Sequence, residues 1–353
     1  MKESNSNSTG VKEIARLANV SIGTVDRVIH NRKGVSDETR KKVNAIIEEL
    51  DFRPNKMASL LARRDQVNIG VIIPKTSSET NYWSYPLAGI TQAVDELKQF
   101  GVTVTPFLYD SDSKSSFVEA EERALAADLQ GVLLAPSFIE ESLVLTKKLT
   151  DANIPFVFIN SDLPRQESLS YIGPDLFQSG RLAAQIISMM AREADDIFIV
   201  NISTELELDH HLLRKEQGFR KYFEEHNIAN TILTLNINHT DNQSVKKQLS
   251  KALASAPNAR VLFVTNSRVN VVARVLADHP QKLILVGYDF IEENIRCLEN
   301  ESISFIISQR PKEQGYHGIM ALYKHLFGLG DAERTNYMPI DIITKENFHY
   351  YKN

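Results

Sequence analysis

The feature that most constrains the fold is an alternation that begins near residue 68 and runs through most of the chain. NIGVIIP is short and wholly apolar, the pattern of a strand buried on both faces. SYPLAGITQAVDELKQFG then shows amphipathic helical spacing and ends at Gly101. VTVTPFLYD reads as a strand and SSFVEAEERALAADLQ as a helix, and GVLLAPS and PFVFIN are strands around a third helix. After residue 170 the alternation resumes with SGRLAAQIISMMARE, DIFIVNI and HHLLRKEQGFRKYFEEH, followed by the strands TILTLNI, RVLFVTN and LILVGYD with helices between them. Such alternation implies parallel sheets with helices on both faces, so the body is expected to be α/β, with two doubly wound lobes. ISFIISQ and GYHGIMALYKHLFG are expected to return to the first lobe. Ligands of such sheets gather at the carboxyl ends of the strands.

Ahead of residue 68 both the period and the charge change. Residues 1–64 carry 13 Lys/Arg against 8 Asp/Glu, whereas the whole 353-residue chain has a formal charge of −5. A basic head on an acidic body suggests that only the head meets a polyanion. VKEIARLA places Val11, Ile14, Ala15 and Ala18 on one helical face, and Asn19 can end that helix. Ser21 suits the N-cap of a second helix in which Val25, Val28 and Ile29 recur at three and four residues. Ser36 can cap a third helix that buries Val43, Ile46, Ile47 and Leu50. Two short helices backed by a third make a helix-turn-helix unit, whose second helix can enter the major groove.

That geometry assigns roles. Ile22, Thr24 and Arg27 fall near base edges, where Arg27 can fork to guanine O6 and N7. Ser21, His30, Asn31, Arg32, Lys33 and Thr39 would mostly hold phosphates. Gly23 has no side chain to read with. Asp26 has two readings, an acceptor for a cytosine amine or a first-turn acid that favours the helix dipole.

The segment from VKEIARLANVSIGTVDRVIHNRKG to DFRPNKMASLLAR resembles the DNA-binding head of the lactose-repressor (LacI/GalR) family. It carries the IA-x-x-A-x-V-S start, the TV-x-RV core, the GVS-x-x-TR segment and the FRPN linker. The resemblance implies a hinge helix at 54–66 that orders on DNA as a symmetric pair, with Asn55, Ala58 and Leu61 at the minor groove and Leu61 as a wedge between base steps. The body resembles periplasmic sugar-binding proteins of the ribose-binding type. The implied scheme is a disordered tail at 1–10, a helix-turn-helix domain at 11–53, the hinge at 54–66 and an effector and dimerisation domain at 67–353. Its first lobe would span about 67–164 and 300–330, its second about 165–299 and 331–353. A homodimer is expected, because the tail lacks the Leu heptad that makes some relatives tetramers. Its partners would be an operator duplex and a carbohydrate effector, a sugar or sugar phosphate, with no cofactor.

Candidate effector contacts sit at strand ends. Tyr82, Trp83 and Tyr85 follow the first strand and offer flat rings for sugar C–H faces. Asn160 and Asp162 close PFVFIN, Asn266 closes RVLFVTN, Asp289 closes LILVGYD and Gln309 closes ISFIISQ. By family position Asn266, Asp289, Gln309 and Arg214 resemble groups that hold sugar hydroxyls, which both donate and accept. Arg214 lies four residues before Gly218 where many relatives have three, so Lys215 can hold that role instead. Asp289 and Asp175 can alternatively cap the helices that follow, and Asn160 and Asn266 suit turns.

Other classes have less support. A single cysteine, Cys297, excludes an intrachain disulfide and fits a reducing cytoplasm. MKESNSNSTG lacks a signal-peptide core, and no apolar run approaches the roughly 20 residues of a membrane span. There is no Walker loop, G-x-S-x-G or H-E-x-x-H. His210 and His211 read as a surface pair, and Asp110 and Asp112 as a polar turn rather than paired catalytic acids. A sugar-processing enzyme and a sugar sensor without operator control are the alternatives.

Overall fold

The computed structural model describes residues 11–29, 32–50, 52, 66–76, 81–163, 165–203, 210–330 and 332–351. The chain divides into two compact units, Met1–Arg64 and Asp65–Asn353. His30, Asn31, Asn55, Ala58 and Leu61, with the tail and most of the hinge, lie outside the described residues.

In the smaller unit, helices α1 (Val11–Ala18), α2 (Ile22–Ile29) and α3 (Asp37–Glu49) enclose a core of Ile14, Ala15, Ala18, Val25, Val28 and Val43. Ile46, Ile47 and Leu50 pack against it, half-buried. The local signals act as the sequence implies. Asn19 takes a left-handed φ of 55° at the end of α1, where Asn is tolerated. The Ser21 hydroxyl accepts from the Thr24 N–H at 3.1 Å, and that of Ser36 from the Thr39 N–H at 3.3 Å. These bonds satisfy helix N–H groups that have no intrahelical acceptor.

The larger unit holds two six-stranded sheets. The first contains β1 (Val67–Pro74), β2 (Val102–Tyr109), β3 (Gly131–Leu134), β4 (Phe156–Ile159), β5 (Ser170–Gly173) and β11 (Thr335–Tyr337), in the order β11-β5-β4-β3-β1-β2. The second contains β6 (Asp196–Ile202), β7 (Ile232–Ile237), β8 (Ala259–Val264), β9 (Ile284–Tyr288), β10 (Phe305–Ser308) and β12 (Asp341–Ile343), in the order β12-β10-β9-β8-β6-β7. Among the described residues, all pairings are parallel except β10 with β12. Helices α4 (Ser84–Leu97), α5 (Lys114–Leu125), α6 (Ile139–Asp151) and α12 (Pro311–Leu326) cover the first sheet. Helices α7 (Leu176–Ser188), α8 (His210–Glu225), α9 (Asn242–Ser255), α10 (Val269–Leu276) and α11 (Glu292–Glu299) cover the second.

The expected lobe boundaries need correction. β5 pairs with β4, so the first lobe runs to Gly173 rather than about 164. ISFIISQ does not return to the first lobe, because β10 pairs with β9 in the second sheet. Only α12 returns, onto β3, β4 and β5. The closing segment divides, β11 to the first sheet and β12 to the second. The chain thus crosses between lobes three times: after Gly173, after Gln309 and after Met338. An apolar run identifies a strand, but which sheet it joins is settled by pairing with distant partners that its own period does not encode.

Candidate functional site

Between the lobes lies a cavity of about 110 Å³, small beside drug-sized ligand sites. Its walls are strand ends. Pro74, Tyr82, Trp83, Ser111, Asp112, Ser137 and Asn160 come from the first lobe. Ile202, Ser203, Asn266, Ser267, Arg268, Asp289 and Gln309 come from the second, with His211 and Lys215 from α8. The strand-end logic therefore brings Tyr82, Trp83, Asn160, Asn266, Asp289 and Gln309 together around one space.

On the first wall, the Tyr82 hydroxyl donates to Asn160 Oδ1 at 2.8 Å, and its ring meets Trp83 edge-on at 5.1 Å. Burial, aided by Asp289, pushes the Tyr82 phenol well above its usual range, so it remains a neutral donor. Asn160 holds a left-handed φ of 69°.

On the second wall, Asp289 is 4% exposed and has a left-handed φ of 75°. Its Oδ1 accepts from Gln309 Nε2 at 3.0 Å. Burial pushes the carboxyl up to about 6, opposed by the Lys215 ammonium and the Gln309 amide. Asp289 does not cap α11, whose N-cap is Ile291. Asp175, by contrast, does cap α7, accepting from the Gln178 N–H at 3.0 Å. Asn266 lines the cavity but also braces its own loop, donating to the Ile202 carbonyl at 2.8 Å and accepting from the Arg268 N–H at 3.2 Å.

Helix α8 resolves the choice between Arg214 and Lys215. Successive helical residues point about 100° apart, so only one can face the cavity. Lys215 does: it is 2% exposed, donates to the Thr265 carbonyl at 3.1 Å and lies 3.7 Å from the centroid of the Tyr288 ring. Arg214 is exposed over the Phe177 ring. A Cβ on Gly180 of α7 would stand 1.9 Å from the Lys215 carbonyl oxygen, so only glycine lets α7 approach α8 at this point.

Three expected contacts are not in the wall. Arg214 faces outward. Asp162 stands outside the cavity, near His210 and Tyr171. Tyr85 lies towards the start of α11, where burial and the nearby Glu293 and Glu292 carboxylates raise its phenol. His211, read as half of a surface pair, lines the cavity four residues before Lys215. Burial, with Lys215 and His210 adding to it, lowers its imidazole to about 3, so it is neutral. Its i, i+4 spacing from Lys215 was the signal that could have found it. Asp112 lines the cavity and Asp110 does not; Asp110 pairs with Lys75 at 3.0 Å, which separates the two acids.

In the smaller unit Ser21, Ile22, Arg27, Arg32 and Lys33 are exposed, and Thr24 and Thr39 half-buried. Ile22 is 51% exposed, high for an isoleucine. Asp26 Oδ2 lies 3.3 Å from Arg32 Nη1, and the Arg32 carbonyl accepts from Arg40 at 2.9 Å.

Residues 10–55 match the model of bacterial regulatory proteins of the lacI family, and residues 69–330 match a periplasmic binding protein domain. Catabolite control protein B of Bacillus subtilis is 38% identical over 109 residues, 31% of this chain and 34% of that protein. The ribose operon repressor of Halalkalibacterium halodurans is 27% identical over 297 residues, 80% of this chain and 81% of that one. Against the first curated relatives the chain spans 34% to 54% of their length. Among solved structures, a protein assigned as a LacI transcriptional regulator from Bacteroides fragilis superposes with a TM-score of 0.77 at 30% identity, over 82% of this chain and all of that one. No helix among the described residues is long and apolar enough to cross a membrane. The chain belongs to the lacI family of bacterial regulatory proteins, with a periplasmic binding protein domain as its larger unit.

Proposed function

We propose that this chain is a homodimeric, cytoplasmic transcriptional repressor whose hold on an operator is set by a small carbohydrate or sugar phosphate in the interlobe cavity. One observation carries the reading. Strand ends of both lobes converge amide, carboxylate, ammonium and aromatic groups on a single small cavity, in a chain that also carries a helix-turn-helix head. Asn160, Asp289, Gln309 and Lys215 would pair with hydroxyls or an anionic substituent, and Tyr82 and Trp83 would cover apolar faces. The relative named as a ribose operon repressor supports the sugar class. Ser21, Ile22, Thr24, Arg27, His30, Asn31, Arg32, Lys33 and Thr39 would meet the duplex, with Asn55, Ala58 and Leu61 at its minor groove. A ligand shifts operator affinity only by its differential affinity for the two lobe arrangements, typically about 1–3 kcal/mol. The reading involves no chemical step, so a sugar recovered from the protein should be unchanged.

The test is a thermal-shift screen against neutral sugars, sugar acids and sugar phosphates, followed by genomic-fragment binding with and without each hit. A hit that also changes fragment retention supports the proposal. Unchanged melting with the whole panel, and no fragment retained at low salt, would end it.

A further inference from the structure

Two cavity groups that face each other from different lobes are joined behind the cavity by a residue that does not line it. Gln314 is fully buried on α12. Its Oε1 accepts from the Asn160 backbone N–H at 2.9 Å. Its Nε2 donates to the Gln309 backbone carbonyl at 2.7 Å. Asn160 follows β4 in the first sheet and Gln309 follows β10 in the second, so one side-chain amide bonds the backbone just past a strand of each lobe. The chain of bonds continues outward on both sides, Tyr82 to Asn160 at 2.8 Å and Gln309 to Asp289 at 3.0 Å.

The backbone it holds is left-handed at several points. Asn160 and Asp289, together with Arg310 next to Gln309, have positive φ of 69°, 75° and 52°. Left-handed conformations are less favourable than right-handed ones for non-glycine residues, even for Asn and Asp, so surrounding bonds help to hold them. Gln314 supplies one such bond at Asn160. Its own place is fixed by the next residue, because a Cβ on Gly315 would stand 2.1 Å from the Pro86 carbonyl oxygen of α4. With α12 seated on the first lobe, any displacement of the second wall must stretch or break the Nε2 bond to Gln309.

We infer that Gln314 is a positioning residue that ties the two walls of the cavity together, setting how far apart Asn160 and Gln309 stand. Its effect on regulation rests on the cavity being the effector site. The tie itself is measurable without ligand, so its failure is separate from failure of that reading.

The probe is built in, because Trp83 is the protein's one tryptophan and lies 9% exposed in the first wall. Gln314→Met removes both bonds at similar volume. Gln314→Glu keeps the acceptor for Asn160 but loses the donor to Gln309 when ionised; the protonated acid restores that donor, and burial raises the pH at which it does so. In full-length protein, acrylamide quenching of Trp83 and the exchange protection of the Asn160 amide would be followed across pH. The expected result for Gln314→Met is at least about a tenfold loss of Asn160 protection and greater quenching. Gln314→Glu should keep that protection, match wild type in quenching at low pH and match the Met variant at high pH. A quenching profile of Gln314→Glu that runs parallel to wild type across pH overturns the proposal, whatever Gln314→Met does. Should the Met variant fail to fold, the Glu profile alone decides.

Discussion

Asp112 Oδ2 in the first lobe stands 3.7 Å from Arg268 Nη2 in the second, so an ion pair bridges the cavity rim. This pair adds to the Gln314 bonds behind the cavity as a contact between the two lobes.

The rim pair should be a weak fastening. Its separation exceeds the 2.7–2.9 Å of a charge-assisted hydrogen bond, and the Asp112 side chain is 35% exposed. A double-mutant cycle of Asp112→Asn with Arg268→Gln, followed by thermal unfolding, is expected to give a coupling below about 1 kcal/mol. Both variants should make Trp83 more open to acrylamide. A coupling of several kcal/mol would mean that the pair, rather than the buried bonds behind the cavity, holds the lobes.

Lys215 and Arg214 make a sharper contrast. Lys215→Met should lower affinity for any sugar found by thermal shift at least about tenfold, by removing a buried cation from the wall. Arg214→Ala should change it little, since the side chain is exposed and its contact with Phe177, at 5.4 Å to the ring centroid, is an outer one. Isothermal titration with the same sugar separates them; equal losses in both variants would contradict the orientation of α8.

In the smaller unit, Asp26 is engaged with Arg32 rather than turned to solvent alone. On the proposed reading, its carboxylate offsets a cation that faces phosphate. Asp26→Ser is therefore expected to tighten binding to a duplex of arbitrary sequence at low salt. The plot of log affinity against log salt should steepen by up to about 0.9 per head. Fluorescence anisotropy over a salt series measures both, and an unchanged slope would remove Arg32 from the phosphate contacts.

How far the sequence carried this reading depends on the range of each signal. Ser21, Ser36 and Asn19 act within three or four residues, and the structure has them as the local pattern implies. Asn160, Asp289 and Gln309 were legible because polar residues ending apolar strands must converge where parallel strands end together. The allegiance of β10 was not legible, since FIIS would fit the interior of either sheet. TNY and DII, at three residues each, are too short to show a period at all. His211 is not legible from its adjacency to His210, because its place in the wall follows from its helical phase relative to Lys215. Gln314 escaped because it is buried, bonds only backbone groups and lines nothing.

The cavity also holds two titrating groups whose contributions to stability run in opposite directions with pH. His211 is held down to about 3 from an ordinary 6.5, chiefly by burial and then by Lys215 and His210. As pH falls below 6.5 the unfolded chain takes up a proton that folded His211 refuses, so stability is lost, with a limiting slope of about 1.4 kcal/mol per pH unit. Asp289 is pushed up to about 6 from an ordinary 3.8, so the folded state takes the proton first. Its contribution is fully present below 3.8 and lost as pH rises through about 6. Over the window from about 6 to 4 the two largely offset each other in the wild type. Removing one should expose the other. His211→Asn is expected to gain stability relative to wild type on acidification through that window, and Asp289→Asn to lose it. Thermal unfolding of the three proteins between pH 8 and pH 4, compared as variant minus wild type, tests both signs at once. Differences that stay constant with pH would show that neither group is as desolvated as its place in the cavity wall requires.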